Sequence, residues 1–202
     1  MMPAARESLL DAACAALARR PWAAVRMVDV AAAAGVSRQT LYNEFGSKEG
    51  LARALVRREA DAYLAGVDRA LTAPADSRER LAATAEWIAA AAGENALVRA
   101  LVTGCWSERL PALTLAAVPS ATAVPAQRRA DGPLPSPGDL VVLVRDRAVA
   151  VLAGPDGGTA EAAELARCCE LVVRLALSCV AAPPGEGGVA GLVRGVLHRQ
   201  PA

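Results

Sequence analysis

Hydrogen-bonding side chains are concentrated in one short segment near the N-terminus, at Arg38, Gln39, Thr40, Tyr42 and Asn43. Arginine and glutamine can each form paired hydrogen bonds with a base edge in the major groove of DNA, to guanine and adenine respectively. Leu41 and Phe45 lie four residues apart, which would place them on one face of a helix. Residues 38–44 are therefore predicted to form a short helix that buries this apolar face and directs its polar side chains outward.

The residues before this helix indicate that it is the second helix of a helix-turn-helix. Residues 27–34 are predicted to form a short helix that ends at Gly35, which can adopt a left-handed backbone conformation without a steric penalty. Val36 would fill the corner between the two helices, and Ser37 has the hydroxyl group of a helix N-cap. The residue types alone are also compatible with a short helical hairpin that has a solvated outer face.

Residues 5–60 resemble the DNA-binding domain of the TetR/AcrR family of bacterial transcriptional regulators. The positions that carry the resemblance are Ala34-Gly35-Val36-Ser37, Thr40-Leu41-Tyr42, Phe45 and Ser47-Lys48-Glu49. The resemblance implies an all-α protein in which a three-helix DNA-binding domain with a helix-turn-helix precedes a larger helical ligand-binding and dimerisation domain. We expect these domains at residues 1–46 and 47–182, followed by a tail at 183–202.

The resemblance also implies roles for individual side chains of the predicted recognition helix. Ser37 and Thr40 are expected to contact phosphate, and Tyr42 to lie along the DNA backbone or against a thymine methyl group. Arg38 and Gln39 stand where the family reads base edges, and their hydrogen-bonding geometry suits guanine and adenine.

The resemblance implies DNA contacts from three further positions in or near this helix, one of which departs from the family pattern. Asn43 faces the same side as the base-reading residues and is expected to add a contact. Lys48, the only lysine in the chain, is expected to bind phosphate together with the dipole at the N-terminus of the helix that follows Ser47. Arg26 stands where the family usually has a threonine that caps the helix and touches phosphate, so its charge can replace the contact whereas the cap is lost.

The distribution of charge agrees with a nucleic-acid reader joined to a second module. Residues 1–58 contain nine Arg or Lys and five Asp or Glu, whereas residues 59–202 contain thirteen and sixteen. A basic segment on a slightly acidic body is typical of such an arrangement. The composition, 54% hydrophobic and 21% charged, excludes an intrinsically disordered chain.

The side chains that catalysis or metal binding would require are sparse. The only histidine, His198, lies in the C-terminal tail, and no catalytic triad, phosphate-binding loop or metal-ligand spacing is present. The cysteines form no C-x-x-C pair and lie in apolar helical patterns, so free buried thiols are expected. The sequence leaves open a redox role for the adjacent Cys168 and Cys169. We predict no enzymatic activity, no metal and no cofactor.

The rest of the chain shows helical periodicity nearly throughout. Residues 119–138 contain five of the thirteen prolines and are predicted to form an exposed flexible linker. Asp76 and Glu79 have the spacing of a capping box. Besides the helix-turn-helix, helices are predicted at residues 4–20, 47–71, 76–93, 95–103, 107–117 (weakly, because of Pro111), 139–153, 159–182 and 189–198.

An apolar stripe on the helix at 159–182 predicts a dimer interface. A single helix-turn-helix offers few base contacts, and pairing on a near-palindromic operator would supply the missing affinity. The family forms a four-helix dimer bundle from its last two long helices, which this pattern resembles, although an ordinary buried core helix would show the same periodicity. The stripe consists of Leu165, Cys168, Val172, Leu175 and Cys179.

The resemblance further implies a ligand cavity between the DNA reader and the dimer bundle. Residues 59–182 are mainly aliphatic and contain few aromatic residues, so we expect an apolar small-molecule effector. Tyr63, Trp87 and Trp106 are candidate lining residues, and plain core packing is the alternative for each. A ligand that tilts the helix beginning at Lys48 would change the separation of two recognition helices and weaken operator binding.

We therefore predict a ligand-responsive repressor that binds a double-stranded DNA operator as a homodimer. The alternative is a helical adaptor protein that kept the helix-turn-helix fold and lost operator binding. The N-terminus lacks the pattern of a signal peptide, and no stretch approaches the ~18 apolar residues of a membrane span. A cytoplasmic, nucleoid-associated protein without membrane contact is expected.

Overall fold

The computed structural model describes residues 3–111, 134–153 and 158–198, and every regular element in these ranges is helical. The predicted all-α class is confirmed. The helices are α1 (Pro3–Arg19), a 3₁₀ turn (Trp22–Ala24), α2 (Met27–Ala33), α3 (Arg38–Phe45), α4 (Lys48–Leu71), α5 (Ser77–Glu94), α6 (Ala96–Thr103), α7 (Pro137–Leu152), α8 (Thr159–Ala181) and α9 (Gly188–Leu197).

By packing, the chain divides into two compact units. The first unit contains residues 1–59 and 106–134, and the second contains residues 60–105 and 135–202. The boundary between them lies within α4, between Glu59 and Ala60. The functional boundary predicted at residue 46 stays a prediction, as does the linker, of which residues 119–133 lie outside the described part of the chain.

In the first unit, α1, α2 and α3 pack on one another. Arg58 of α4 donates a hydrogen bond to Asp11 of α1 at 2.7 Å, which joins these two helices at their polar edge. The side chains with the least exposure in this unit are Leu9, Leu10, Ala13, Val30, Ala31, Leu41, Leu51, Leu55 and Val56. These residues form a small aliphatic core under the helix-turn-helix.

In the second unit, α5 packs against α8 and α9, and α7 packs along α8. Helices α7 and α8 run antiparallel, since Arg145 lies 3.9 Å from Glu170 whereas Leu152 borders the same cleft as Leu165. The short C-terminal helix α9 is joined to α5 by two hydrogen bonds from Arg194 to Glu79, at 2.8 and 2.9 Å.

Several helix ends follow directly from the local sequence. Gly35 and Gly46 end α2 and α3 with φ angles of 69° and 71°, a conformation that residues with a side chain rarely adopt. Asp76 caps α5 by accepting a hydrogen bond from the backbone N–H of Glu79 at 2.9 Å. Only this half of the predicted capping box is observed, and the Glu79 carboxylate accepts hydrogen bonds from Arg194.

Two of the expected helices differ from the structure by more than one residue at an end. Residues 107–111 form a turn rather than the start of a helix, because Pro111 has no N–H to donate and disfavours helical geometry in the residue before it. Residues 112–117 of that prediction lie outside the described residues. Helix α7 begins two residues earlier than expected, at Pro137, because Ser136 and Asp139 form a complete capping box and proline suits the first helical position.

The turn between α3 and α4 depends on a close approach of two backbones. A Cβ atom at Gly50 would overlap with the carbonyl oxygen of Phe45. We expect Gly50→Ala to lower the free energy of unfolding by about 1–3 kcal/mol, the usual cost of forcing an extra carbon into a packed site. Urea unfolding followed by circular dichroism would measure this difference.

The matched control is Gly191→Ala, which places the same methyl group within α9, where nothing lies within 4 Å of it. Replacing this helical glycine is expected to raise stability by about 0.5–1 kcal/mol. If both variants were as stable as the parent, the close contact at Gly50 would not be a constraint on this fold.

Candidate nucleic-acid interface

Helix α3 is held to the first unit by its two apolar side chains. Leu41 is fully buried and Phe45 is nearly so. The Arg6 guanidinium of α1 lies 4.8 Å from the centre of the Phe45 ring and 3.8 Å from the Glu44 carboxylate. These contacts fix the rotation of α3 about its own axis, so its opposite face is directed to solvent.

Ser37 caps α3 in the manner that the sequence predicts. Its Oγ accepts a hydrogen bond from the backbone N–H of Thr40 at 3.0 Å and lies 2.9 Å from the Thr40 hydroxyl oxygen. The structure therefore brings these two candidate phosphate-binding hydroxyls together at the N-terminus of the helix. The partial positive charge of that terminus favours an anion at the same place.

The exposed face of α3 carries the four remaining candidates of this helix. The Gln39 side-chain amide donates a hydrogen bond to the Asn43 side-chain oxygen at 2.8 Å, one helical turn away. This bond orients the Gln39 amide and leaves its oxygen and one N–H for a base edge. Tyr42, with 40% of its surface exposed, lies on the same accessible side.

Arg38 is exposed at the first position of α3. Among the residues that the structure describes, no carboxylate lies within ion-pair distance of its guanidinium. Its charge and its paired donors are consequently available to an external acceptor. Bidentate recognition of guanine requires two such donors that are not already engaged.

Arg26 differs from Arg38 because its charge is already paired. It donates two hydrogen bonds of 3.0 Å to the carboxylate of Asp29, which also lies 3.4 Å from Arg20. The hydrogen bonds from Arg26 hold the pKa of Asp29 below its usual range. Arg26 occupies the N-cap position of α2 without a capping hydrogen bond from its side chain, as the sequence predicts.

Lys48 is held at the start of α4 by groups that carry no charge. Its Nζ donates to the carbonyl oxygen of Ala23 at 3.1 Å and lies 5.6 Å from the centre of the Trp22 ring. Sequence reasoning did not single out Trp22 or Ala23. Neither could have been found from a motif, since one partner is a backbone carbonyl and the other lies 26 residues away.

The three aromatic residues predicted to line a pocket are not in one unit. Tyr63 and Trp87 belong to the second unit, where the Trp87 indole donates to the Tyr63 carbonyl at 3.1 Å. The Trp87 ring lies directly against Gly66, and the Arg69 guanidinium lies 5.5 Å from its centre. Trp106 belongs to the first unit and is 40% exposed.

Tyr63 is buried, and this burial raises the pKa of its phenol. A cleft of about 300 Å³ lies elsewhere in the second unit, bordered by Leu152, Ala153, Ala162 and Leu165 among others. Sequence reasoning did not predict this cleft, which forms only when the end of α7 meets the start of α8.

The apolar stripe of α8 is divided between the interior and the surface of the second unit. Val172 and Cys179 are buried in the core, whereas Leu165, Cys168 and Leu175 are half-buried. The structure also shows large apolar side chains on the surface of these helices that sequence reasoning missed. They are Leu171 of α8, at 45% exposure, and Val142, Leu143 and Val151 of α7.

The adjacent cysteines have little tendency to ionise. Burial raises the pKa of the Cys169 thiol to about 12 and also raises that of Cys168. Because the thiolate is the reactive form, both groups are poorly suited to redox chemistry at neutral pH. Within the described ranges, no group of three potential metal ligands is assembled and no helix has the length and apolarity to cross a membrane.

Comparison with known proteins shows what the helix-turn-helix segment is similar to. Residues 9–55 match the family model of bacterial regulatory proteins, tetR family. The chain is 50% identical over 68 residues to the HTH-type transcriptional regulator AlkX of Mycobacterium tuberculosis, a match that covers 34% of this chain and 32% of that protein. It is 40% identical over 81 residues to the HTH-type transcriptional activator FasR of Mycolicibacterium smegmatis, covering 40% and 37%.

These matches span about a third of the length of each relative, whereas the structural likeness extends over nearly the whole chain. The TetR family repressor AlkX from Dietzia, implicated in biodegradation of n-alkanes, superimposes with a TM-score of 0.52 at 24% identity, covering 95% of this chain and 92% of that one. A tetR-family transcriptional regulator from Streptomyces coelicolor gives a TM-score of 0.56 at 17% identity, with coverages of 98% and 79%. At these identities the likeness establishes the fold alone.

Proposed function

We propose that the chain is a sequence-specific DNA-binding transcriptional regulator of the TetR family of bacterial regulatory proteins, whose family model matches residues 9–55. The observation that carries the proposal is the exposed face of α3, a capped helix whose Arg38 charge is not neutralised by a neighbour. This face lies within residues 9–55, the segment that matches the family model.

In the proposed complex, α3 enters the major groove, where some of its side chains contact base edges and others contact the phosphate backbone. Arg38 donates two hydrogen bonds to guanine, and Gln39 reads adenine with an amide that Asn43 orients. Ser37 and Thr40 contact phosphate at the helix N-terminus, and Tyr42 lies against the backbone or a thymine methyl group. Lys48 binds phosphate at the start of α4.

Arg26 is the weakest of the proposed contacts. Its bidentate bond to Asp29 occupies the N–H groups that would best bind a phosphate, and the carboxylate adds a negative charge nearby. A phosphate contact from Arg26 would therefore use only its remaining donors, and it contributes less than the contact from Lys48.

We propose that two copies of the chain pair through α7 and α8. The exposed apolar side chains of Leu143, Val151 and Leu171 would add to the half-buried part of the predicted stripe, which consists of Leu165, Cys168 and Leu175, to form the interface. Val172 and Cys179 support this surface from the core. A symmetric pair would present two recognition helices to a near-palindromic operator in the cytoplasm, at the nucleoid.

We propose further that an apolar small molecule binds in the second unit and relieves repression. The unit is rich in aliphatic side chains, and the name of the Dietzia repressor connects a protein of this fold with n-alkanes. Tyr63 and Trp87 remain candidates for one wall of the site, whereas Trp106 belongs to the other unit. By linkage, an effector that weakens operator binding is itself bound less tightly by the DNA complex.

Two substitutions separate base reading from phosphate binding. Arg38→Ala is expected to lose discrimination at about one base position in each half-site, at a cost of about 1–3 kcal/mol. Lys48→Ala is expected to weaken binding to all duplexes alike and to reduce the slope of log K against log salt by about 0.9 for each bound protomer. Selection from random duplexes, followed by salt titrations of the selected operator, measures both effects.

The matched control is Arg78→Ala, which removes one exposed positive charge from α5 of the second unit and should leave site preference unchanged. If the parent showed no preference among duplexes, the protein would be a helical adaptor instead. If Arg38→Ala and Lys48→Ala both bound like the parent, the assigned roles would be wrong.

The dimer surface is tested with a charge at its centre. Leu171→Asp is expected to weaken dimerisation at least about tenfold, because pairing would bury an unpaired carboxylate. Leu192→Asp on α9 is the control, since Leu192 has the same 45% exposure and lies outside the proposed surface. Analytical ultracentrifugation over a concentration series measures both. A monomeric parent, or a Leu171→Asp variant as dimeric as the control, would contradict the proposal.

The effector class is tested by binding to the free protein and to its operator complex. Dodecane or decanol is expected to raise the thermal midpoint of the free protein and to release the operator from the complex. At a free ligand concentration of 100 times the dissociation constant, the expected stabilisation of the folded protein is about 2.7 kcal/mol. Polyphosphate and zinc are the contrasting probes. A response to the polyanion or the metal, with none to the apolar compounds, would contradict an apolar effector.

A further inference from the structure

The cradle of Lys48, formed by the Trp22 ring and the Ala23 carbonyl, holds a cation without neutralising it. The ammonium donates to the carbonyl at 3.1 Å and lies 5.6 Å from the ring centre, within the range of a cation–π interaction. Over the described part of the chain, no carboxylate forms an ion pair with Lys48. The ring and the carbonyl both attract the ammonium group, but neither carries a negative charge that would neutralise it.

Two arginines of the first unit are held by carboxylates instead. Arg26 is paired with Asp29 at 3.0 Å, and Arg58 is paired with Asp11 at 2.7 Å. A carboxylate that orders a cation also neutralises it, so the cation attracts a phosphate less strongly. An aromatic face and a carbonyl order the cation through partial charges and do not cancel its full positive charge. The cation therefore still attracts an incoming phosphate.

We propose that Trp22 is a positioning residue for DNA binding, which holds the Lys48 ammonium at the place where it meets a backbone phosphate. The proposal rests on the proposed function and adds to it a residue outside the helix-turn-helix. With the lysine side chain already ordered in the free protein, less conformational entropy is lost when the phosphate binds.

The cradle is itself anchored in the first unit. Trp22 is 7% exposed, and its backbone N–H donates to the carbonyl of Arg109 at 2.8 Å. The 3₁₀ turn is closed by a bond of 3.0 Å from the Val25 N–H to the Trp22 carbonyl. These bonds anchor the backbone on both sides of the Ala23 carbonyl that accepts from Lys48, and the indole ring is buried beside it.

The test combines substitutions at the two positions in the full-length protein. Trp22→Leu removes the aromatic face and keeps an apolar side chain, while Trp22→Phe keeps a smaller aromatic face and serves if Trp22→Leu does not fold. Each is measured in the parent and in the Lys48→Ala background, on random-sequence and selected duplexes over a salt series. Thermal midpoints of the free proteins report the folding of each variant.

Trp22→Leu is expected to weaken binding to all duplexes about threefold to tenfold and to reduce the salt slope, with Trp22→Phe intermediate. In the Lys48→Ala background, neither substitution should weaken binding further, because the residue through which Trp22 acts is absent. A purely structural role would weaken binding equally in both backgrounds and would overturn the proposal. Unchanged or tighter binding by Trp22→Leu would also overturn it.

A failure of the underlying function gives a different result. If the parent bound no duplex with a salt-dependent affinity, the DNA-binding proposal would be wrong, whether or not Trp22 positions Lys48. The contact itself is then tested by indole fluorescence of the free protein, which Lys48→Met is expected to change and Arg38→Ala is not. Identical spectra for the parent and Lys48→Met would overturn the cradle.

Discussion

The burial of Leu41 and Phe45 is the interaction on which the recognition surface depends. A helix turns by about 100° per residue, so two apolar side chains four positions apart define one narrow face. Once that face is packed against α1 and α2, the direction of every other side chain on α3 is set. Gly50 contributes from the other side, because its missing side chain lets the end of α3 lie against the start of α4.

The basic residues of the first unit differ in how far their charge is available to a polyanion. Arg26 and Arg58 are each paired with a carboxylate within the unit. Arg38 and Lys48 are not paired among the described residues, and both lie at helix N-termini. Part of the charge available to a polyanion therefore lies at these two termini, where the helix dipoles add to it.

Local features of the sequence predicted the elements of the site with close agreement. The glycine at position 35 and the hydroxyl group of Ser37 act through bonds within a few residues, so their effect does not depend on the rest of the fold. The apolar stripe of α8 shows the limit of this reasoning. Periodicity identified an apolar face, but only the neighbouring helices decide that Val172 is covered and Leu171 is exposed.

The two contacts that most alter the candidate site differ in how visible they are in sequence. Arg26 and Asp29 have the i, i+3 spacing of a helical ion pair, so their mutual neutralisation could have been predicted from local rules. The cradle of Lys48 has no such sequence pattern. Every residue has a backbone carbonyl like that of Ala23, and Trp22 is brought near Lys48 only by the fold. Finding a cation that is held by a backbone carbonyl and a distant ring therefore requires coordinates, whereas finding a cation that is neutralised by an acid three residues away does not.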